Sequence, residues 1–392
     1  MIFKYILYFV VCILIGLFVF IKVKFRFWAS QPVFHIYNLY YWLFPPGIVQ
    51  HDIPPITKFY DHKIYLDSYT NLSTEKKELM YGLIKNHFLY KRDVKYNPKK
   101  KDVLDYFKSY KRKSFISLYF EYSGEYEKKT NQYNFPKRLV ACMTTRPLNC
   151  YINNNKLKIG YVDFLCVHKN ERKKGHAPKI IYTHYKKSRE AGAEDVFLFK
   201  REGHINFIVP LTIYNAYMFD IKPFNKINLN LPNNIICKLI TSGNSELLFH
   251  YLPQIKKHFS CFIIPHYTHI KLQIDKQLLI VCMLFDKEKP IGFYFFRNPQ
   301  TSYDKRNSIE CLCSYYDEDY ENEFIQSFQN CIVLIHKKIK FQLLCIENIS
   351  NNNILIKDIM KKSSTLWKVP MAYYFYNFIY RPFLSNNVFL LN

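Results

Sequence analysis

The hydrophobic positions follow three patterns along the chain. Tyr5 to Ile21 is apolar without a single charge. Residues 28–57 are aromatic and broken by Pro32, Pro45, Pro46, Pro54 and Pro55, a density that opposes helix and predicts an extended segment laid over a domain surface. Ser73 then opens a helical pattern, Ser-Thr-Glu-Lys-Lys-Glu, with an apolar stripe at Leu79, Leu83 and Phe88. From Phe115 the period shortens, and 115–121, 138–144 and 158–167 read as strands rich in aromatic and β-branched residues. A helix is predicted over 177–191, with Ala177, Ile180, Ile181, His184 and Tyr185 on one face, Pro178 in its first turn and Gly192 as its cap. A strand follows at 195–199. The second half repeats the theme, with strands at 278–285, 290–296, 308–314 and 341–346 and a helix at 321–337. Strands grouped around single helices, twice over, predict an α/β chain of two similar halves.

Composition narrows the classes. The 392 residues suffice for two domains, and 49% hydrophobic with 18% aromatic residues excludes a largely disordered chain. The formal charge of +25 invites an anionic partner, but the lysines are spread along the whole chain rather than gathered in a stripe. Compositional drift is the preferred explanation, and no nucleic-acid partner is expected. The eleven cysteines include no C-x-x-C pair, and most lie in apolar stretches such as Leu139–Met143, which suits buried reduced thiols. Cys311 and Cys313 read either as a metal pair or, preferably, as alternate residues of one strand, so no metal site is expected. No G-x-S-x-G, H-E-x-x-H or G-x-x-x-x-G-K string is present.

The apolar run at 5–21 rises about 25 Å as a helix, near the lower limit for a bilayer span. Lys4 precedes it, and Lys22, Lys24 and Arg26 follow. That bias predicts a single-pass signal anchor with the body of the protein on the cytoplasmic side. A cleaved signal peptide is the rival reading. The length of the run, the lack of a small-residue cleavage site and the basic residues that follow favour the anchor.

The stretch from Lys158 to Gly192 carries the chemistry. A strand ends at Val167, and a polar turn, His168 to Lys174, contains Arg172, Lys173 and Lys174. Gly175 follows, and a helix begins near His176. A helix start offers free N–H groups and positive dipole, a Gly lets phosphate oxygens approach, and neighbouring cations add charge-assisted hydrogen bonds. The pattern describes a pyrophosphate cradle; by charge alone, a solvated basic turn would look the same.

Arg172-x-x-Gly175-x-Ala177 resembles the acyl-CoA signature of the GNAT acetyltransferase superfamily. Phe164-Leu165-Cys166-Val167-His168-Lys169 followed by Gly-His-Ala-Pro resembles the protein N-myristoyltransferase family in particular. Arg26-Phe27-Trp28-Ala29-Ser30-Gln31-Pro32-Val33 is similar to that family's N-terminal segment, and Ala372–Asn377 with Val388–Asn392 to its C-terminus. The resemblance implies two tandem GNAT-like halves with a pseudo-twofold relation, preceded by one transmembrane helix. The expected division is an anchor at 1–22, an extended connector contacting CoA at 23–57, an acyl-CoA-binding half at 58–225 and a peptide-binding half at 226–392.

It also implies roles. The backbone amides of Phe164 and Leu165 would form an oxyanion hole for the thioester carbonyl. Arg172, Lys173, Lys174, Gly175, His176 and Ala177 would cradle the CoA phosphates, Cys166 and Val167 would line the acyl-CoA path, and Arg26, Phe27 and Trp28 would hold the nucleotide end. The main-chain carboxylate of Asn392 would take a proton from the glycine ammonium. Asp93, Asp163 and Tyr217 would contact the peptide. The implied reaction is myristoyl transfer from myristoyl-CoA to an N-terminal glycine, with the acyl-CoA as substrate and no permanently bound cofactor.

Three departures stand against that pattern. Asp163 replaces the family's Asn before the oxyanion Phe, and no hydroxyl stands near Phe199 where the family has Thr. The loop Phe88-Leu89-Tyr90-Lys91-Arg92-Asp93 keeps only Asp93 of an acidic stretch. They motivate two alternatives: a membrane-tethered acyl-CoA or acyl-peptide binding protein without turnover, and a GNAT-like transferase acting on another amine.

Overall fold

The computed structural model describes residues 2–89, 93–122, 125–127, 132–134, 137–226 and 231–392. Ile2–Lys24 forms helix α1, with none of its side chains buried. Its C-terminal part touches the body: Phe18 meets Tyr37 edge-on, and Ile21 with Phe25 just past the helix packs on the cluster around Val33, Tyr185 and Phe197. The connector after it runs along one helix of the first half, described below.

The first half builds an antiparallel run from β1 (Ile64–Ser68), β2 (Phe115–Tyr122), β3 (Lys137–Ile152) and β4 (Asn155–Val167). Between β1 and β2 lies α2, Thr74–His87, capped by the Ser73 hydroxyl, which accepts the N–H of Lys76. Its buried side chains are Met80, Leu83 and Ile84, while Leu79 is 40% exposed. The apolar stripe is therefore rotated by one residue from the expected one. After β4 the chain crosses over through α3 (His176–Glu190) to β5 (Val196–Glu202), which lies parallel to β4. Gly192, at φ +83°, closes α3: its N–H reaches the carbonyl of Arg189 and that of Ala193 the carbonyl of Ser188, the paired bonds of a left-handed helix stop.

β6 (Thr212–Asp220) follows. The second half then repeats the plan with β7 (Ile235–Leu239), β9 (Leu279–Asp286), β10 (Lys289–Arg297) and β11 (Arg306–Tyr316), all antiparallel, the short β8 (Cys261–Ile264) lying apart. Helix α4 (Glu321–Lys338) crosses over to β12 (Leu343–Glu347), parallel to β11. Phe324, Phe328, Ile332 and Ile335 form the buried face of α4, each contributing about 1.5–3 kcal/mol of burial.

The halves join by exchanging last strands. β6 pairs with β12 of the second half, β13 (Trp367–Tyr376) pairs with β5 of the first, and β6 and β13 pair with each other at the centre. One continuous sheet results, sixteen-stranded among the described residues. The two-halved α/β architecture expected from the strand pattern is what the chain adopts. The final strand, β14 (Val388–Leu390), lies parallel to β8, which pairs with the end of β3, and Asn392 beyond it reaches Tyr161 on β4, Tyr373 on β13 and Arg297 on β10.

Candidate functional site

Both parallel junctions carry a bulge. Along β3 and β4 the register slips after Met143, so that Asp163 and Phe164 share Thr144 as their opposite. Along β10 and β11 it slips between Phe295 and Phe296. A bulge bends its strand and re-aims the side chains beside it. Beyond the Val162–Phe199 pair, β4 and β5 part, leaving one edge of β4 unpaired by β5 over 163–167. His168 donates its N–H to the Val140 carbonyl on the β3 side. Alternation along an antiparallel strand then turns the N–H of Leu165 to the open edge. Phe164 differs: its N–H donates to Thr144 Oγ1 at 3.1 Å. Of the two amides expected to form the oxyanion hole, Leu165 thus faces the gap and Phe164 is engaged by a threonine hydroxyl.

At the end of β4 lies the basic turn. Gly175, at φ +82°, is the cap residue of α3, with no side chain capping the helix and no acidic residue in the first turn. A side chain here would meet no neighbour within 4 Å but would strain the left-handed backbone. The first N–H groups of α3 therefore stand toward the turn with their positive dipole, a ready anion site. Arg172, Lys173 and Lys174 are exposed around it. Arg172 Nη2 holds the His87 carbonyl at 2.6 Å and Lys174 Nζ holds Glu171 Oε2 at 2.7 Å. The local field is positive: burial, then His168, Lys169, Arg172 and Arg138, lower His87 to about 4. The His176 ring is buried against Tyr119, Glu121 and Glu171, so its contribution to an anion is its backbone N–H rather than its ring. Cys166 is buried in the cluster beneath α2 and Val167 is half-buried.

The connector straps α3. Arg189 binds the carbonyls of His51 and Asp52, Lys186 that of Pro54 and Tyr182 that of Pro55, and Lys179 reaches Asp61 at the start of the helix. Phe27 packs edge-on against Phe59 of this strap, and Trp28 stacks on Phe199 at 5.4 Å, while Arg26 is exposed. The 26–28 segment is thus held to the first half by aromatic contacts.

A cavity of about 620 Å³ opens at the sheet centre. Its wall includes Tyr161, Asp163, Phe164, Lys200, Arg297 and Asn392. Asp163 does not stand free: both its carboxylate oxygens lie 2.9 Å from Arg146 Nε. Arg146, fully buried, gives its remaining donors to Tyr110 at 3.0 Å and Tyr106 at 2.7 Å. Burial pushes the Asp163 carboxyl up to about 6 against the pull of Arg146. The second half supplies an equivalent pair, Arg297 on β10 with Glu310 on β11, at 2.6 Å. Burial alone would raise Glu310, but Arg297 and Lys200 more than offset it and hold the carboxyl below its ordinary range. Lys200 joins Glu347 at 2.5 Å, and Tyr214 donates to the same carboxylate at 2.7 Å. The Asn392 amide donates to the Tyr161 hydroxyl at 2.5 Å and accepts from Arg297 at 3.3 Å.

Two residues expected to contact the peptide, Tyr217 and Asp93, are not among those that line the cavity. Tyr217 stacks beside Phe219 toward the α4 face, while Ala216 of the same strand lines the cavity; side chains alternate along a strand, so one residue of register decides the face. Asp93 is exposed and lies outside the cavity wall, although Leu89 and Val94 on either side belong to it. Tyr90, Lys91 and Arg92 lie outside the described residues. Sequence reading missed Arg146, Thr144, Lys200, Arg297, Glu310 and Glu347, which acquire their partners only across the sheet.

The exchanged α/β halves, the basic helix start at the open edge of β4 and the central cavity together outline the candidate site. Residues 70–193 match the sequence profile of the Myristoyl-CoA:protein N-myristoyltransferase N-terminal domain. The crystal structure of Saccharomyces cerevisiae N-myristoyltransferase with bound myristoyl-CoA superimposes with a TM-score of 0.67, covering 92% of this chain and 94% of that one at 13% identity. The yeast enzyme with bound myristoyl-CoA and inhibitors gives 0.63, covering 92% and 91% at 14% identity. By sequence alone no curated protein matches the chain. The first half thus resembles the N-myristoyltransferase N-terminal domain in sequence, and the whole chain shares the fold of the yeast enzyme.

Proposed function

We propose that this protein transfers a myristoyl group from myristoyl-CoA to the N-terminal glycine of protein substrates. The observation that carries the reading is the uncapped, basic start of α3 at the open edge of β4, one strand-length from a cavity that holds Asn392. In this reading the CoA phosphates sit at Arg172–Ala177 and the Phe27–Trp28 segment closes the nucleotide end. The thioester lies along the open edge of β4, where the Leu165 N–H meets the charge developing on the carbonyl oxygen. The glycine amine enters from the cavity. The main-chain carboxylate of Asn392, a residue whose side-chain amide meets Tyr161 and Arg297, takes the ammonium proton before attack. The amine nitrogen then bonds to the acyl carbon, the C–S bond breaks, and the second amine proton passes to the leaving sulfur, which departs as CoA thiol.

Neutralised carboxylates at Asp163, Glu310 and Glu347 support a peptide preference other than one for strongly basic sequences, because each already has its cation. The domain division at 57/58 and 225/226 is part of the same reading, with the first half holding acyl-CoA and the second the peptide.

A second reading, acyl-CoA binding without turnover, has one observation in its favour: the Phe164 N–H is engaged by Thr144. Incubating the purified full chain with myristoyl-CoA and a library of N-terminal glycine peptides separates the two. Peptides heavier by one myristoyl group support transfer; bound myristoyl-CoA with no acylated peptide across the library contradicts it. A residue appended after Asn392 is expected to abolish transfer while leaving acyl-CoA binding intact.

We also propose that α1 anchors the protein in a membrane, with the body on the cytoplasmic side. It is long and apolar enough to cross a bilayer by length and composition. Next to its end, Tyr37 meets Phe18 edge-on, and Leu39, Tyr40, Leu43 and Phe44 are exposed together, a tyrosine-bearing apolar patch suited to a lipid interface. Resistance to alkaline extraction, lost on deleting residues 1–22, is expected; extraction of the intact chain would contradict the anchor.

A further inference from the structure

Outside the cavity lining, three cysteines from three elements converge. Cys237 lies on β7, the edge strand of the second half, Cys282 on β9, and Cys331 on the buried face of α4. Their sulfurs form a nearly regular triangle, with Cys237 Sγ 3.0 Å from Cys282 and 2.7 Å from Cys331, and Cys282 2.8 Å from Cys331. Cys282 and Cys331 are buried and Cys237 is half-buried at the sheet edge. The chain separations, 45 and 49 residues, hide the cluster from any reading of spacing.

Core cysteines ordinarily pack as small hydrophobes with no reason to face one another. Here each sulfur points at one common centre. The other eight cysteines of the chain make no such trio among the described residues. We propose that Cys237, Cys282 and Cys331 form a binding site for a soft, thiophilic d10 cation, three-coordinate and best matched by Cu(I).

The donor set argues for the class. Thiolate sulfur selects soft ions over Mg²⁺ or Ca²⁺, which take oxygen. No His, Asp or Glu joins the three sulfurs among the described residues, and the nearby Tyr294 hydroxyl is committed to the Phe324 carbonyl. Structural Zn²⁺ takes four ligands, so a three-sulfur set falls one short. The sulfurs must spread: a triangle of these sides places each about 1.6 Å from the centre, and a metal–sulfur bond of ~2.3 Å asks each to move out by about 0.7 Å. Small side-chain rotations supply that. Cys237 is the natural entry ligand, since it is reachable from the sheet edge. Each thiol that ligates releases its proton to solvent. A bound ion would tie the edge strand β7 and helix α4 to the sheet between them.

The test uses the full chain in detergent, reduced and handled without oxygen. It is titrated with Cu(I) buffered by a chromophoric bidentate chelator. One Cu(I) per chain should be withdrawn from the chelator, and X-ray absorption should show three sulfurs at a single distance. Cys237→Ser, the least buried of the three, should weaken retention at least a hundredfold while its thermal melt stays that of the parent. Cys12→Ser, at the exposed cysteine of α1, should change nothing. Failure of the parent to compete with the chelator would overturn the site. So would equal retention by Cys237→Ser, or a Cys237–Cys331 disulfide that re-forms in place of metal uptake.

Discussion

After β4 the chain passes through a short 3-10 turn, Lys169–Glu171, and enters α3; after β11 it passes through another, Glu318–Tyr320, and enters α4. Both strands are bulged, both crossovers lead to a parallel partner, and each half buries an Arg–carboxylate pair on its third and fourth antiparallel strands. The charge at the helix start is opposite. Arg172, Lys173 and Lys174 precede α3, whereas Asp317, Glu318, Asp319, Glu321 and Glu323 surround the start of α4 with no intervening cation. Tyr320 caps α4 where Gly175 caps α3. The acidic side chains satisfy the α4 dipole internally, and a polyphosphate would be repelled there. One backbone plan thus yields a basic helix start in the first half and an acidic one in the second.

The largest expected effect comes from erasing that contrast. Changing Arg172, Lys173 and Lys174 together to Glu should weaken myristoyl-CoA binding by about a thousandfold or more, given ~1.5–3 kcal/mol per charged hydrogen bond. Calorimetry or displacement of a fluorescent acyl-CoA reads it. The converse change, lysines for Asp317, Glu318 and Asp319, should create no second site, because the α4 start lacks the glycine. Two equivalents of bound acyl-CoA would break the comparison.

The buried pairs come next. Arg146→Met leaves Asp163 uncompensated and should cost ~3–5 kcal/mol of stability, read as a drop in the denaturant midpoint. Arg297→Met should cost less, since its side chain is 27% exposed against none for Arg146. Arg146→Met with Asp163→Asn should recover part of the loss.

A smaller effect follows from Asp163's titration. Its carboxyl is raised from 3.8 to about 6, so the folded chain holds that proton more tightly than the unfolded one. Stability from this group is full below pH about 4 and is lost as pH rises through 6. Asp163→Asn should flatten the stability curve between those values. Gly175→Ala is the mildest change: no atom obstructs the new methyl, and the left-handed backbone costs ~1 kcal/mol. Acyl-CoA affinity should fall by about five- to tenfold with folding intact.

Much of the comparison is legible in the sequence. The strands at 115–121, 158–167, 278–285, 290–296 and 308–314 and the helices near 177–191 and 321–337 all lie within a few residues of their places, because each is long and strongly patterned. Gly175 and the three cations are adjacent in the chain, so the cradle shows as a string. What is not legible depends on partners far away in sequence. The exchange of β6 and β13 is decided by which edges remain open after each crossover, which local periodicity does not encode. Arg146 and Asp163 are 17 residues apart and meet across a hairpin whose bulge shifts their register. Tyr217, picked out by its neighbours in sequence, packs beside Phe219 while Ala216 lines the cavity, a choice of face that strand parity makes and the motif does not show.

Hydrogen exchange of the full chain in detergent, with and without myristoyl-CoA, tests the central claim most directly. The asymmetry of the two helix starts predicts strong protection over residues 164–180 and none over 316–326. Equal protection at both, or protection confined to the start of α4, would contradict it.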